Sequence, residues 1–195
     1  MARAGLTTDR VVTEAERIAD EVGLPRLTLA ALAESLGVRQ PSLYKHIDGM
    51  DALQRSIAIR AKTELCDVLG RAAVGKAGDD AIRAVATAYR TWALKHPGRY
   101  ASTVRAPDDG DTDDEAASSA VIGVVLDILA GYDLHGTDAI DATRATRATL
   151  HGFISLESSD GFGLPVDIDR SFARLVDGLV VALNSMAPTT SSPTA

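Results

Sequence analysis

Apolar residues recur at helical spacing along almost the whole chain, and no segment alternates in the manner of a β-strand. The first stripe begins after Thr7 or Thr8, either of which suits an N-cap, and it stops at Gly23. Alanine is abundant and only 4% of the residues are aromatic, a composition that favours helices over strands. The sequence therefore predicts an all-α fold.

Glycines, prolines and one acidic segment divide the chain into about nine predicted helices. They cover residues 8–22, 29–36 with Thr28 as the N-cap, 40–47, 50–69, 79–95, 99–105, a stretch from the acidic segment 107–115 to residue 132, then 138–157 and 167–187. The seventh of these is apolar on most sides, which is typical of a helix in the middle of a bundle. The polar tail 188–195 has no charged residue and is expected to be disordered.

Several protein classes are excluded by simple counts. No apolar run approaches the roughly 20 residues that span a bilayer, and the opening MARAGLTTDR lacks the apolar core of a signal peptide. Cys66 is the only cysteine, so no internal disulfide can form. We expect a cytoplasmic protein without a membrane partner, in which Cys66 is buried and inert rather than a redox sensor.

The formal net charge of −7 is unevenly distributed. Residues 1–62 carry nine Lys/Arg and eight Asp/Glu, whereas residues 63–195 carry eleven and nineteen. Attraction to a polyanion is therefore confined to the N-terminal third, where the balance of +1 is weak support by itself.

Two short helices joined at residues 37–39 have the pattern of a helix-turn-helix. Ala33 is small where the helices cross, and Gly37 permits the positive φ of a tight turn. Leu32, Leu36, Val38 and Leu43 are the apolar residues expected beneath. The alternative is that residues 28–47 are simply two small helices of a bundle.

The second of these helices presents polar residues outward. Arg and Gln side chains can read guanine and adenine edges, and Ser, Tyr and Lys suit phosphate oxygens. The N-terminus of the first helix offers N–H groups to a phosphate. The candidate DNA-binding residues are Thr28, Arg39, Gln40, Pro41, Ser42, Tyr44, Lys45 and His46.

The same segment resembles the TetR/AcrR family of repressors. The matching elements are TLAALA at 28–33, LGV at 36–38, LYKH at 43–46 and AL at 52–53. The resemblance implies a three-helix DNA-binding unit, a helical regulatory domain, a homodimer formed by the last two helices, and release of a palindromic operator when a small molecule binds. This chain has Ile47 where the family usually has an aromatic residue, and Met50 where it usually has a phosphate-contacting lysine.

A second resemblance lies in the C-terminal half. The segment LHGFISLE at 150–157, with GFG at 161–163 and SF at 171–172, is similar to the regulatory domain named after a Trp-His-Gly motif. Leu150 stands at the Trp position, so the motif is incomplete. We accordingly predict a DNA-binding domain at 8–50 and a ligand-sensing, dimerising domain at 51–187.

Candidate ligand and dimer residues follow from chemistry alone. Effector sites are mostly apolar with a few polar groups, and the residues of that kind are Tyr89, Trp92, Tyr100, Leu126, His151 and Phe153. Plain core packing is the alternative for all of them, and His151 could instead line a dimer interface. The unbroken apolar stripe of the last helix suggests a two-fold interface made of Phe172, Leu175, Val176, Leu179 and Leu183.

Catalysis and metal binding find no support. The four histidines lack metal-ligand spacing, and there is no phosphate-binding glycine loop or nucleophile elbow. No cofactor or catalytic residue is therefore expected. The hypotheses are a ligand-responsive DNA-binding repressor, a helical ligand-binding protein whose helix-turn-helix no longer binds DNA, and a small all-α enzyme, which lacks a catalytic constellation.

Overall fold

The computed structural model describes residues 5–186, all of whose regular elements are helical. These residues form eight α-helices, labelled in chain order. They are α1 (Thr8–Val22), α2 (Leu29–Leu36), α3 (Met50–Ala73), α4 (Gly78–Lys95), α5 (Pro97–Ser102), α6 (Thr112–Ala130), α7 (Gly136–Ser158) and α8 (Ile168–Met186). Two 3₁₀ segments, Leu24–Arg26 and Gln40–Lys45, complete the set. The all-α prediction is confirmed, and the tail 188–195 lies outside the described residues.

Several element boundaries differ from the predictions, the clearest of them in α3 and α5. Helix α3 continues through Gly70 to Ala73, where a loop was expected from residue 70. Helix α5 begins at Pro97 instead of Arg99, because proline is well suited to the first turn, where its missing N–H needs no partner. No helix within residues 5–186 is both long and apolar enough to cross a membrane.

The described chain divides into two compact units. The first comprises residues 5–65 and 92–119, and the second comprises residues 66–91 and 120–186. The first unit thus contains the whole predicted DNA-binding segment together with α5 and the start of α6. The predicted domain boundary at residue 50 stays a prediction.

The first unit has its own apolar core beneath the N-terminal helices. Buried members come from α1, α2, the 3₁₀ segment and α3: Val11, Val12, Ala15, Ile18, Ala19, Leu27, Leu32, Ala33, Leu43, Ile47, Leu53 and Ile57. Leu36 and Val38, predicted to fill this core, pack against it partly buried. Ile47 is buried here, so an aliphatic side chain fills the position where an aromatic residue was expected.

A salt bridge is buried in the same unit. Lys62 of α3 lies 2.6 Å from Asp114 of α6, and the side chains are only 5% and 9% exposed. The Lys62 ammonium also donates to the carbonyl oxygen of Arg105 at 3.3 Å. This pair attaches the first turn of α6 to α3, because either charge left alone there would be strongly disfavoured.

In the second unit, Arg90 of α4 organises the connection between α7 and α8. Its guanidinium pairs with Glu157, with an Nε–Oε2 distance of 2.8 Å, and lies 4.8 Å from the centre of the Phe172 ring. Phe153 packs against both Phe172 and Phe162, at centroid distances of 5.3 and 4.7 Å. The phenylalanines of the second sequence resemblance therefore form one cluster around an arginine.

Helix α6 does not lie in the middle of a bundle. Ile122 is 43% exposed, and Val121, Val124, Val125 and Leu126 are only half-buried. Ile128 and Leu129, near the end of the helix, are buried. The expectation was wrong because an apolar surface on most sides of a helix does not by itself bring neighbours to every side within a single chain.

The Lys62–Asp114 pair yields a stability prediction. Lys62→Met leaves Asp114 buried without its counter-charge and should lower the free energy of unfolding by about 3–5 kcal/mol. The matched control is Arg105→Met, whose pair with Asp108 is exposed on both sides, with an expected loss below about 1 kcal/mol. Urea denaturation measures both, and equal losses would show that the buried pair has no special role.

Candidate DNA-binding site

The candidate site is a helix-turn-helix whose first helix is α2. The hydroxyl of Thr28 caps this helix by accepting from the backbone N–H of Ala31 at 3.1 Å. At the other end Gly37 adopts φ 66° and ψ 33°. The Val38 and Gly37 N–H groups donate to the carbonyls of Ala33 and Glu34, both at 3.0 Å, as in a Schellman motif.

The second element, Gln40–Lys45, is a 3₁₀ helix. The prediction of a helix from Gln40 to about Ile47 is right in place but not in length or type. The reason is local: Pro41 has no N–H, and a segment this short gains little from the wider α-turn. Ser42 N–H donates to Arg39 O at 2.8 Å, and Ile47 N–H donates to Leu43 O at 3.0 Å, which closes the last turn.

Leu43 anchors the 3₁₀ helix in the core of the first unit. Its side chain is fully buried, and its carbonyl accepts from both His46 and Ile47. The threonine hydroxyl of Thr8 on α1 donates to the carbonyl of His46 at 3.2 Å. The 3₁₀ helix is thereby attached to α1 by packing at one residue and by a hydrogen bond at another.

The structure leaves most of the predicted DNA-binding side chains accessible. Six of them are exposed: Thr28, Arg39, Gln40, Pro41, Tyr44 and Lys45. Ser42 and His46 are half-buried. Five of these exposed residues lie in the turn and the 3₁₀ helix, and Thr28 lies at the start of α2. Their side chains are accessible to bases and phosphates.

Charge at this surface is uncompensated. Within residues 5–186, neither Arg39 nor Lys45 takes part in an ion pair, although Arg17 and Arg60 in the same unit pair with acids on α1. Free cations next to a helix-turn-helix can exchange counter-ions for phosphates. Arg39 and Lys45 are therefore available to an external phosphate, although the charges of the N-terminal third nearly cancel.

Met50 lies where the resemblance leads one to expect a lysine. Met50 is the first residue of α3, and its side chain is partly buried against the helix-turn-helix core. It contributes packing there and no charge, so one phosphate contact of the family pattern is absent from this chain at that position.

The six predicted ligand residues are distributed over both units. Trp92 and Tyr100 are buried in the first unit, and in the second Phe153 is buried while Tyr89, Leu126 and His151 are half-buried. The indole N–H of Trp92 is buried without a hydrogen-bond partner. A cleft in the first unit is lined by Leu24, Gln54, Arg55, Ala58, Ala101, Ser102, Arg105, Asp108, Asp111 and Asp114, and none of the six is among its lining residues.

The predicted dimer residues face inward. Phe172, Val176, Leu179 and Leu183 are buried within the single chain, and Leu175 is half-buried. The apolar stripe of the last helix is therefore no evidence for an interface between two chains, and the assignment of these residues to a dimer stays a prediction. Their apolar surface is already covered by the chain's own helices.

The described residues do not favour a metal site or a reactive thiol. Within residues 5–186, no three His, Cys, Asp or Glu side chains are grouped so as to hold a metal ion. Cys66 is half-buried and not buried as expected. Its partial burial raises the pKa of the thiol, which opposes formation of a reactive thiolate.

A helix-turn-helix with a capped first helix, a glycine turn and a free cationic second helix defines a DNA-binding regulator of the HTH type.

Residues 82–179 match a family described as tetracyclin repressor-like, C-terminal domain. An uncharacterized HTH-type transcriptional regulator of Mycobacterium tuberculosis is 37% identical over 174 residues, which are 89% of this chain and 79% of that protein. The HTH-type regulator YobS of Bacillus subtilis is 36% identical over 173 residues, 88% of this chain and 89% of that one.

Among solved structures, a TetR variant from Acinetobacter baumannii in complex with minocycline shares the fold. Its TM-score is 0.73 at 21% identity, over 95% of this chain and all of that one. The chain belongs to the TetR family of transcriptional regulators. The Trp-His-Gly subtype of the regulatory domain stays a prediction.

Proposed function

We propose that this regulator is a homodimeric repressor that binds a palindromic operator and leaves it when a small molecule binds. The observation that carries the proposal is that Arg39 and Lys45 are exposed and without an ion-pair partner on a well-formed helix-turn-helix. Arg39 and Gln40 are assigned to base edges, and Tyr44 and Lys45 to phosphates. Ser42 and His46, being half-buried, contribute at the margin of the contact.

The dimer is proposed to use the outward faces of α7 and α8. Apolar side chains exposed there in the single chain include Ile140, Leu156 and Val181, the last of them 69% exposed. Small exposed residues lie on the same two helices: Ala145, Ala148, Gly152, Gly178 and Ala182. Small residues permit close helix packing across a two-fold axis, and two reading elements are then placed on successive turns of DNA.

The effector is proposed to be mostly apolar or aromatic and to bind beside Trp92 in the regulatory part of the chain. Two features support this: the related TetR fold that holds minocycline, and the buried, unpartnered Trp92 N–H, which a ligand oxygen would satisfy. A ligand acts only through a difference in affinity between the DNA-bound and free arrangements. A 100-fold difference corresponds to about 2.7 kcal/mol, and the coupling is reciprocal.

A second candidate function is a helical ligand-binding protein that no longer binds DNA. The observation that favours it is Met50, half-buried where a phosphate-contacting lysine is expected. Binding of wild type to a duplex that it selects from random-sequence DNA separates the two candidates, because a protein that no longer binds DNA selects none.

Two substitutions test the assignment of base and phosphate contacts. Arg39→Ala should weaken binding to the selected duplex by about 1–3 kcal/mol and relax the preference at one position of each half-site. Lys45→Ala should weaken binding to selected and shuffled duplexes alike and reduce the slope of affinity against salt concentration. Fluorescence anisotropy with labelled duplexes measures both.

Arg170→Ala is the matched control, since Arg170 is an exposed arginine of α8 in the other unit. It should bind both duplexes as wild type does. Wild-type affinity in both Arg39→Ala and Lys45→Ala would exclude the 3₁₀ helix as the reading element.

The dimer assignment gives a separate prediction. Val181→Glu places a charge on the outward face of α8 and should shift the protein towards monomer at micromolar concentration, because an unpaired charge in an apolar interface is strongly disfavoured. Val74→Glu is the control, since Val74 is 74% exposed and lies on neither helix. Sedimentation velocity reports the outcome, and a dimer unaffected by Val181→Glu would refute this interface.

A further inference from the structure

Helix α5 approaches α1 backbone to backbone at Gly98. A Cβ atom added at Gly98 would lie 2.6 Å from the Asp20 nitrogen and closer still to the carbonyl carbon and oxygen of Ala19. The obstacle is main chain, so no rotamer change or smaller side chain on α1 can make room. Only glycine permits this approach, and α5 has to move away from α1 if any side chain is introduced.

The carboxylate of Asp20 fixes the same junction by hydrogen bonds. It accepts from the backbone N–H of Arg99 at 2.9 Å and from Arg99 Nε at 2.8 Å, and His96 Nδ1 lies 3.3 Å away. Arg99 Nη1 continues to Glu64 of α3 at 2.6 Å. One carboxylate on α1 and one guanidinium on α5 thus join three helices, with both side chains largely buried.

The other half of α1 is held by Arg60 of α3. Its guanidinium contacts Asp9 at 2.9 Å, Glu16 at 3.0 Å and the hydroxyl of Thr13 at 3.1 Å. These three residues lie on one face of α1 at helical spacing. Helix α1 is therefore fixed along its length by Arg60 and at its C-terminal end by the junction with α5.

Any shift of α1 is passed to the reading element. Val12, Ala15 and Ala19 belong to the core that also contains Leu32 and Leu43. Thr8 is hydrogen-bonded to the carbonyl of His46. Because protein cores are close-packed, the helix-turn-helix follows α1 instead of deforming around it.

We propose that Gly98, Asp20 and Arg99 are positioning residues for operator binding, although they touch no DNA. Their junction sets the placement of the helix-turn-helix on α3 and α5. This inference rests on the proposed function. Specific binding needs both half-sites engaged in register, whereas non-specific binding needs only phosphate contacts. Disturbing the junction therefore lowers the first and spares the second.

The test uses the full chain with two labelled duplexes of equal length, one selected by wild type from random-sequence DNA and one shuffled. Gly98→Ala should lower affinity for the selected duplex by about tenfold or more, as loss of a base contact does. Affinity for the shuffled duplex at low salt should change by less than about twofold, because the phosphate-contacting side chains are unaltered.

Asp20→Asn provides a second variant that keeps the shape of the side chain and removes its charge. It should produce the same split between the two duplexes. Since both variants disturb one contact, the double variant should lose less affinity than the product of the single effects. Gly70→Ala in α3 is the control, because a Cβ there meets nothing within 4 Å, and it should bind both duplexes normally.

Thermal unfolding and sedimentation of each variant complete the measurement. The proposal is overturned if both Gly98→Ala and Asp20→Asn bind the selected duplex with wild-type affinity. It is also overturned if the variants lose affinity for both duplexes equally and lose thermal stability at the same time. Should Gly98→Ala fail to fold, Asp20→Asn decides alone. If wild type selects no duplex, the proposed function itself fails, which is a distinct result.

Discussion

The packing of α1 is the constraint on which the DNA-binding unit depends. Its apolar face is almost wholly buried, from Val11 to Ala19. That face supplies one side of the core under the helix-turn-helix. Near its C-terminal end, the backbone of α1 contacts the backbone of α5 at Gly98. Without α1 fixed in this way, the short helices around Gly37 would have too little buried surface to hold one orientation.

Electrostatics in this unit separates into two groups of cations. Arg55, Arg60, Lys62 and Arg99 are paired with acids of the same unit and serve to join helices. Arg39 and Lys45 have no acidic partner among the described residues and are available to an external anion. This division explains how a chain of formal charge −7 can present a surface suited to phosphate. The arrangement of charges matters here more than their sum.

The sequence predicted the parts of the site that follow from local chemistry. Thr28 as a cap and Gly37 as a turn residue are dictated by backbone requirements that act over three or four residues. The helical type of 40–45 was predicted less well, since α and 3₁₀ turns differ little in energy over six residues. The glycine of the segment HPGR at 96–99 was overlooked, because a glycine needed for a tertiary contact has no periodic signal.

The dimer and ligand residues show where sequence reasoning stops. The stripe from Phe172 to Leu183 is strongly apolar because it faces the chain's own core, and apolarity alone does not reveal which partner covers it. Aromatic side chains such as Trp92 are equally at home in a core and in a cavity. Their roles depend on where neighbouring helices leave space, which is set by contacts between residues far apart in sequence.

The central claim is that two copies of the segment 28–47 bind DNA together through one face of the duplex. Hydroxyl-radical footprinting of wild type on the duplex it selects tests this most directly. The account predicts two protected patches on the same face, with centres about 34 Å or a multiple of that distance apart. A single protected patch, or protection spread evenly along the duplex, would contradict it.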